Sequence, residues 1–320
     1  MTVVRDLNEV TLDDIVQLRR FDYFFGYLCS ESRSVHVLKR AYQICEKRYM
    51  FIGRLDPLSD EPIHHPTWAK RAKVVKVNLY EEEDVQDEME TALSEIFKSH
   101  SLNAPISILI DISSMPRVVM ASIMAFLDEL TSIFPNVKVV IAYCLAKYSP
   151  PSDRYIANKT VRPVHAHFTG FSLDPGLPVA SIVGLGYEKG KALGAVEYIE
   201  SSNWWIFIPT SEEKKYYKKV AQHNQTILKV VSERQKFDYS VHSPLQTLAT
   251  LESLVSVLVT THKTVLLPFG PKIFFLCALL TALVHKRCTV WDVTGEYSKT
   301  RADVSPSAFV MCMELSLFSD

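Results

Sequence analysis

Apolar positions along the chain fall into two kinds of run. Some are short and almost unbroken, and others are longer, with apolar residues returning every three or four positions. The first pattern predicts buried strands and the second amphipathic helices. Leu12, Ile15, Val16 and Leu18 predict a short helix in the stretch ending at Arg20, ahead of an aromatic-rich strand over Phe21–Cys29. A helix over Ser34–Cys45, through Val35, Leu38, Ala41 and Tyr42, leads to a strand at Arg48–Ile52. Asp56–Trp68 holds three prolines and the pair His64-His65 and reads as loop. Lys73–Leu79 alternates as a strand, and a helix from Glu81 runs to about His100. Its opening acids, Glu81 to Asp84, suit the positive end of a helix dipole. Ile106–Ile112, Val118–Ile133 and Val137–Leu145 read as strand, helix and strand.

Pro150, Pro151, Pro163, Pro175, Pro178, Gly170 and Gly176 break the pattern over Ala146–Pro178. The second half then resumes it. Strands are predicted at Ala180–Leu185, Trp204–Ile208, Tyr239–His242, Thr264–Pro268 and Cys288–Val293, with a terminal strand at Ala308–Leu317. Helices are predicted at Lys189–Ile199, Ser211–Val231, Leu245–Thr261 and Ile273–Val284. Strands alternating with helices, the central strands continuously apolar, indicate an α/β fold with parallel sheets covered on both faces. The expected organisation is an N-terminal Rossmann-like domain over 1–148, a crossover over 149–178 and a C-terminal Rossmann-like domain over 179–320.

The halves can be superposed as sequence. Gly26 to Arg33 matches Gly184 to Lys191, each running from a glycine to a base. Met50 to Gly53 matches Ile206 to Pro209, Asp111 to Arg117 matches Leu266 to Lys272, and Val139-Val140 matches Val290-Trp291, with offsets drifting from 158 to 151 residues. Two parallel-sheet domains related by internal duplication are expected.

Composition narrows the function. The chain of 320 residues is 48% hydrophobic and 22% charged with net charge −1, which excludes a disordered protein. A balance so near zero argues against a dedicated duplex-DNA binder, and nucleic acid is not expected as a partner. The first twenty residues carry acids and bases without an apolar core segment, so no leader is expected. The longest apolar run, Ile273–Val284, has twelve residues, against about 20 for a membrane span. No membrane association is expected. Six cysteines with no Cys-x-x-Cys pair point to reduced thiols and a cytoplasmic protein.

In an open parallel sheet, ligands bind beyond the carboxyl ends of the strands, where the strand order reverses. The matched motifs fall at such junctions. Ser113-Ser114-Met115-Pro116-Arg117 and Gly270-Pro271-Lys272 each join a strand to a helix that begins with proline and a base. A helix N-terminus offers unpaired N–H groups to phosphate, and Arg117 or Lys272 adds a charged contact. Each motif also reads as a plain strand-to-helix junction with a solvated base. The expected site is a central cleft lined by Gly26, Arg33, Ser113, Ser114, Arg117, Gly184, Gly186, Glu188, Lys191, Gly270 and Lys272. The loop Gly184-x-Gly186-x-x-x-Gly190 is one residue longer than the dinucleotide fingerprint, and no acid ends the following strand. No cofactor is therefore expected.

Asp111-Ile-Ser113-Ser-Met-Pro-Arg117 resembles the strand-four signature of CARF domains, the Rossmann-like sensors of prokaryotic defence. Asp111, Ser113 and Arg117 occupy the matching places, and Gly270 and Lys272 match the later part of the signature in the second half. Two such units in one chain are similar to the SAVED arrangement. The resemblance implies a nucleotide messenger held between two units and reported to a partner effector of an antiviral system, with a protein partner or a homo-oligomer. The sequence departs from the signature at Met115-Pro116, where the family has Gly-Thr, and at Leu266, which replaces the Asp.

Two other classes compete. Glu188 and Asp292, among the carboxylates Glu197, Glu200 and Glu296 of the second half, provide an acid and a base or nucleophile for cleaving or transferring an N-glycosidic bond of a nucleoside or NAD. A non-catalytic assembly subunit, its cleft filled by its own side chains, is the third. His64-His65, His100 and His165-x-His167 lack a third ligand at a telling spacing, so no metal is expected. No Gly-x-Ser-x-Gly elbow or Gly-Lys-Ser/Thr loop is present. Lys214 to Lys219 mixes four lysines with Tyr216 and Tyr217, the residue types of a single-strand binder. The favoured reading is a solvated helix face with the tyrosines turned inward.

Overall fold

Five strands of the first half make the parallel part of one sheet: β2 (Phe21–Leu28), β3 (Cys45–Arg54), β4 (Lys73–Asn78), β5 (Ile106–Asp111) and β6 (Val137–Ala146). The computed structural model describes residues 2–54, 72–78, 82–101, 104–134, 136–150, 155, 157–170, 174–211, 214–295 and 304–319. The predicted loop 56–68 with its two histidines, Glu81 and Glu296 lie outside them. In the second half, β8 (Val179–Gly184), β9 (Asn203–Thr210), β10 (Lys236–Ser240), β11 (Lys263–Pro268) and β12 (Cys288–Gly295) build another sheet. Both sets pair in parallel, in the orders β6-β5-β2-β3-β4 and β12-β11-β8-β9-β10. Counted in chain order, each reads 5-4-1-2-3, so the second half repeats the topology of the first.

Each sheet then gains antiparallel strands beside its fifth strand. β7 (Asn158–Pro163) pairs with β12, while β13 (Pro306–Ser319) lies between β6 and β1 (Thr2–Thr11). The chain accordingly divides into one unit of residues 1–147 with 300–320 and another of residues 148–299. This corrects the expected layout at both ends. The stretch 149–178 contributes a strand to the second unit, and the terminal strand belongs to the first. Met311, Met313, Leu315 and Leu317 of β13 are all buried, and a strand apolar on its own needs neighbours on both edges to satisfy its backbone.

Helices cover both faces of each sheet. In the first unit, α1 (Leu12–Leu18) and α2 (His36–Ala41) enclose Phe24, Met50, Leu109 and Val140. On the other face lie α3 (Glu82–Phe97) and α4 (Arg117–Leu130), where Phe97 packs on Tyr23, Phe25 and Phe126. In the second unit, α5 (Lys191–Tyr198), α6 (Lys214–His223) and α7 (Gln225–Val230) cover Val183, Ile206 and Leu267. Opposite them are α8 (Pro244–Leu258) and α9 (Lys272–Val284), with Phe274 against Phe207 and Tyr239. The predicted helix over Ser211–Val231 is therefore two, parted at Asn224. Its amide donates to the Gly186 carbonyl as well as to Val220 O, which draws the chain off the helical path. Among the described residues no helix is long and apolar enough to cross a membrane.

Candidate functional site

The strand order places the reversal between β2 and β5 in the first unit and between β8 and β11 in the second. The carboxyl ends of these four strands are where a ligand of such a sheet sits. In the first unit this edge is a buried polar cluster. Asp111, the last residue of β5, is 2% exposed, and its Oδ1 accepts the Ser113 N–H at 3.0 Å and the Ser113 hydroxyl. Ser113 Oγ in turn accepts the N–H of Cys144 in β6 at 2.8 Å. Ser114 Oγ donates to the carbonyl of Tyr27 in β2 at 2.7 Å. The Ser113 proton is thus spent on Asp111 within the same segment and the Ser114 proton on β2, while the Ser113 oxygen ties the junction to β6.

Arg33 follows β2 in a short 3-10 turn, and Glu31 Oε2 accepts its Nε–H at 2.6 Å, with both side chains 10% exposed. Burial works against the Arg33 charge. The Glu31 carboxylate and the Tyr143 hydroxyl more than offset it and hold the guanidinium above the ordinary arginine pKa. Gly26 stands apart. It lies within β2 opposite Met50, and the room a Cβ would need is taken by the Met50 thioether 2.8 Å away. Gly184 ends β8 and meets the Phe274 ring of α9 in the same way, at 2.3 Å. Gly26 faces the α2 layer and Gly184 faces α9, which covers the other side, so the two aligned glycines are not structural equivalents. One residue of slip in a strand reverses the face.

In the second unit the junction is closed by its own backbone. The Gly270 N–H donates to Gly184 O at 2.9 Å, and a Cβ on Gly270 would stand 2.8 Å from Leu185 O. Gly186 lies against Phe269 O and the Glu188 carboxylate. The glycine-rich turn continues to Gly190, whose φ of +74° caps α5 in the left-handed region, and Lys191 is the first residue of that helix. What the two units share is the start of the helix after the fourth core strand. Pro116 and Pro271 are both N-caps in extended conformation, with φ, ψ of −61°, 151° and −51°, 149°. Arg117 and Lys272 are each the first helical residue and each half-buried.

No family model matches the chain. No curated protein matches it either. One solved structure that does, described as a universal stress protein from Pseudomonas aeruginosa UCBPP-PA14, aligns over 86% of this chain and 93% of its own at 10% identity and a TM-score of 0.23. A likeness of that size carries no argument about function.

The carboxylates of the glycosidic reading lie on different elements of the second unit. Glu188 turns back on Gly186, whereas Asp292 lies within β12, opposite Arg162 of β7 and separated from β8 by β11. Among the described residues no group of three His, Cys, Asp or Glu is placed to hold a metal ion. All six cysteines are free thiols. Burial pushes Cys45, Cys288 and Cys312 up to about 12 and Cys144 to about 11, so these sulfurs stay protonated and poor as nucleophiles. A shallow cavity of about 330 Å³ lies at the amino ends of β2 and β3, between Phe21 and Cys45, on the edge away from the carboxyl ends.

His165 caps a 3-10 turn, its Nδ1 accepting the His167 N–H at 3.1 Å. Burial, with His167 adding to it, lowers the His165 pKa from 6.5 to about 4. A base with a lowered folded pKa binds protons more readily when unfolded. Its contribution is therefore complete above pH 6.5 and is lost as the pH falls toward 4. The expected loss at the acid end is about 3 kcal/mol. Chemical denaturation at neutral and acid pH checks this, and His165→Asn, which keeps an acceptor, flattens that part of the pH dependence.

Proposed function

We propose that the protein binds a phosphorylated small molecule of the nucleotide class at the carboxyl edges of its sheets, as a sensor. The observation that carries this reading is the repeated start of α4 and α9. In two units of the same strand order, a proline N-cap is followed by a base, Arg117 or Lys272, at the edge where open parallel sheets bind ligands. Helix N–H groups and a cation at one point suit a phosphate group.

The test is calorimetric titration with a panel of mononucleotides, cyclic nucleotides and short oligonucleotides. Arg117→Ala and Lys272→Ala are each expected to raise the Kd about tenfold, the worth of one charge-assisted hydrogen bond. Thermal stability should hardly change. Unchanged affinity in both variants would remove the sensor reading. Transmission of the signal to an effector of an antiviral system, through a protein partner or a homo-oligomer, is supported by the motif resemblance at Asp111–Arg117 alone.

The closed junction of the second unit favours a second reading, a non-catalytic assembly subunit, for that half. An effect of Arg117→Ala with none for Lys272→Ala would assign ligand binding to the first unit only.

A further inference from the structure

We infer that the second unit carries a separate surface for single-stranded nucleic acid, formed by a tyrosine cluster and the lysine stripe of α6. The rings of Tyr187 and Tyr216 lie 6.3 Å apart at an interplanar angle of 21°, and Tyr148 meets Tyr216 edge-on at 4.8 Å. The Lys215 ammonium stands 5.7 Å over the Tyr148 ring. Tyr216 does not turn into the core as its sequence context suggests. It joins a cluster that reaches the surface through Tyr187, which is 42% exposed.

Two features make this more than an incidental contact. First, the turn that presents Tyr187 is held from beneath by buried polar side chains. His223 Nδ1–H donates to the Tyr187 carbonyl and the Asn224 amide donates to the Gly186 carbonyl at 2.8 Å, with His223 and Asn224 only 8% and 4% exposed. A rigid aromatic face loses little freedom when a base stacks on it. Second, Lys214 and Lys218, and Lys215 and Lys219, are four apart on α6 and make one basic stripe. Three of these lysines are exposed and Lys219 is half-buried. Over its ten residues the helix extends about 15 Å. Aromatic faces next to a row of cations complement the bases and phosphates of an unpaired strand, whose bases are free to stack. A duplex offers phosphates but keeps its bases stacked on one another. This surface involves neither Arg117 nor Lys272, so it stands or falls apart from the sheet-edge proposal.

The experiment is fluorescence anisotropy with a short labelled pyrimidine RNA, the same sequence as DNA, and the same sequence as a duplex. Both single strands should bind, and the duplex at least tenfold more weakly. Tyr187→Leu should weaken binding tenfold or more, the scale of a lost base–aromatic stack. Lys214→Glu combined with Lys218→Glu, both on exposed positions, should abolish binding while leaving the melting temperature unchanged. The salt dependence should flatten by about 0.7 in log–log slope for each lysine removed that meets a phosphate. No binding of the parent protein, equal binding of duplex and single strand, or full affinity in a folded Tyr187→Leu protein would overturn the inference.

Discussion

Glu31→Ala is expected to destabilise the first unit by about 3–5 kcal/mol, since it leaves the buried Arg33 charge without its carboxylate. The pair is close, 2.6 Å between Nε and Oε2, and both side chains are nearly sequestered from water. Arg33 would keep its contact with Tyr143, a neutral partner that cannot replace a full charge. Taking both members out gives the opposite expectation. Glu31→Leu combined with Arg33→Met should be close to neutral, because an apolar pair of similar volume has no desolvation cost to recover. Urea denaturation followed by circular dichroism distinguishes the two outcomes. Equal losses in the single and double variants would show that the pair does not act as a unit. Because Arg33 is already engaged, the double variant also asks whether the cation contributes anything to ligand affinity.

The second large effect concerns the contact between β8 and α9. Phe274 is fully buried and packs on Phe207 and Tyr239 with centroids at 5.2 and 5.1 Å. Phe274→Ala should cost about 3–5 kcal/mol through lost burial and the cavity left behind. Gly184→Ala should cost about 1–3 kcal/mol for the opposite reason, since its Cβ would stand 2.3 Å from the same ring. The two defects correct one another. In the double variant the added methyl enters the space vacated by the ring, so its cost should fall below the sum of the single costs by about 1 kcal/mol. Strict additivity in thermal or chemical denaturation would count against ring-to-glycine contact as the origin of either loss.

How far the sequence foretold this molecule depends on the range of the interactions. The central strands were legible because Phe21–Leu28, Ile106–Asp111 and Val137–Ala146 are mostly apolar, interrupted only by Asp22, Gly26, Ser107, Asp111 and Lys138, and such runs must be covered on both faces. The terminal strand was legible as a strand, but its sheet was not. Its partner β6 lies more than 150 residues away, and nothing in Pro306–Ser319 names that neighbour. β1 was missed because its charged residues hide the alternation, and a register shift between Arg5 and Asn8, with Asp6 at φ 53°, breaks the period. β7 was lost among the prolines of the crossover. At the candidate site the residue types were visible and their engagements were not. Ser113, Ser114 and Arg33 read as donors for a ligand, yet their nearest partners belong to the chain itself. Pro116-Arg117 and Pro271-Lys272 were legible because a helix start has a local signature. The tyrosine cluster brings together positions 148, 187 and 216, which no local pattern joins.

The position of β13 has a consequence for how the protein comes off the ribosome. Its second unit is one continuous segment, residues 148–299, inserted between the pieces of the first. That inner unit can complete itself while the outer one still waits for its closing strand. At ordinary translation speeds the roughly 150 intervening residues take about 8–30 s to synthesise. Throughout that interval β1 has no partner and the outer edge of β6 stays open, in the state most prone to pairing with a neighbouring nascent chain.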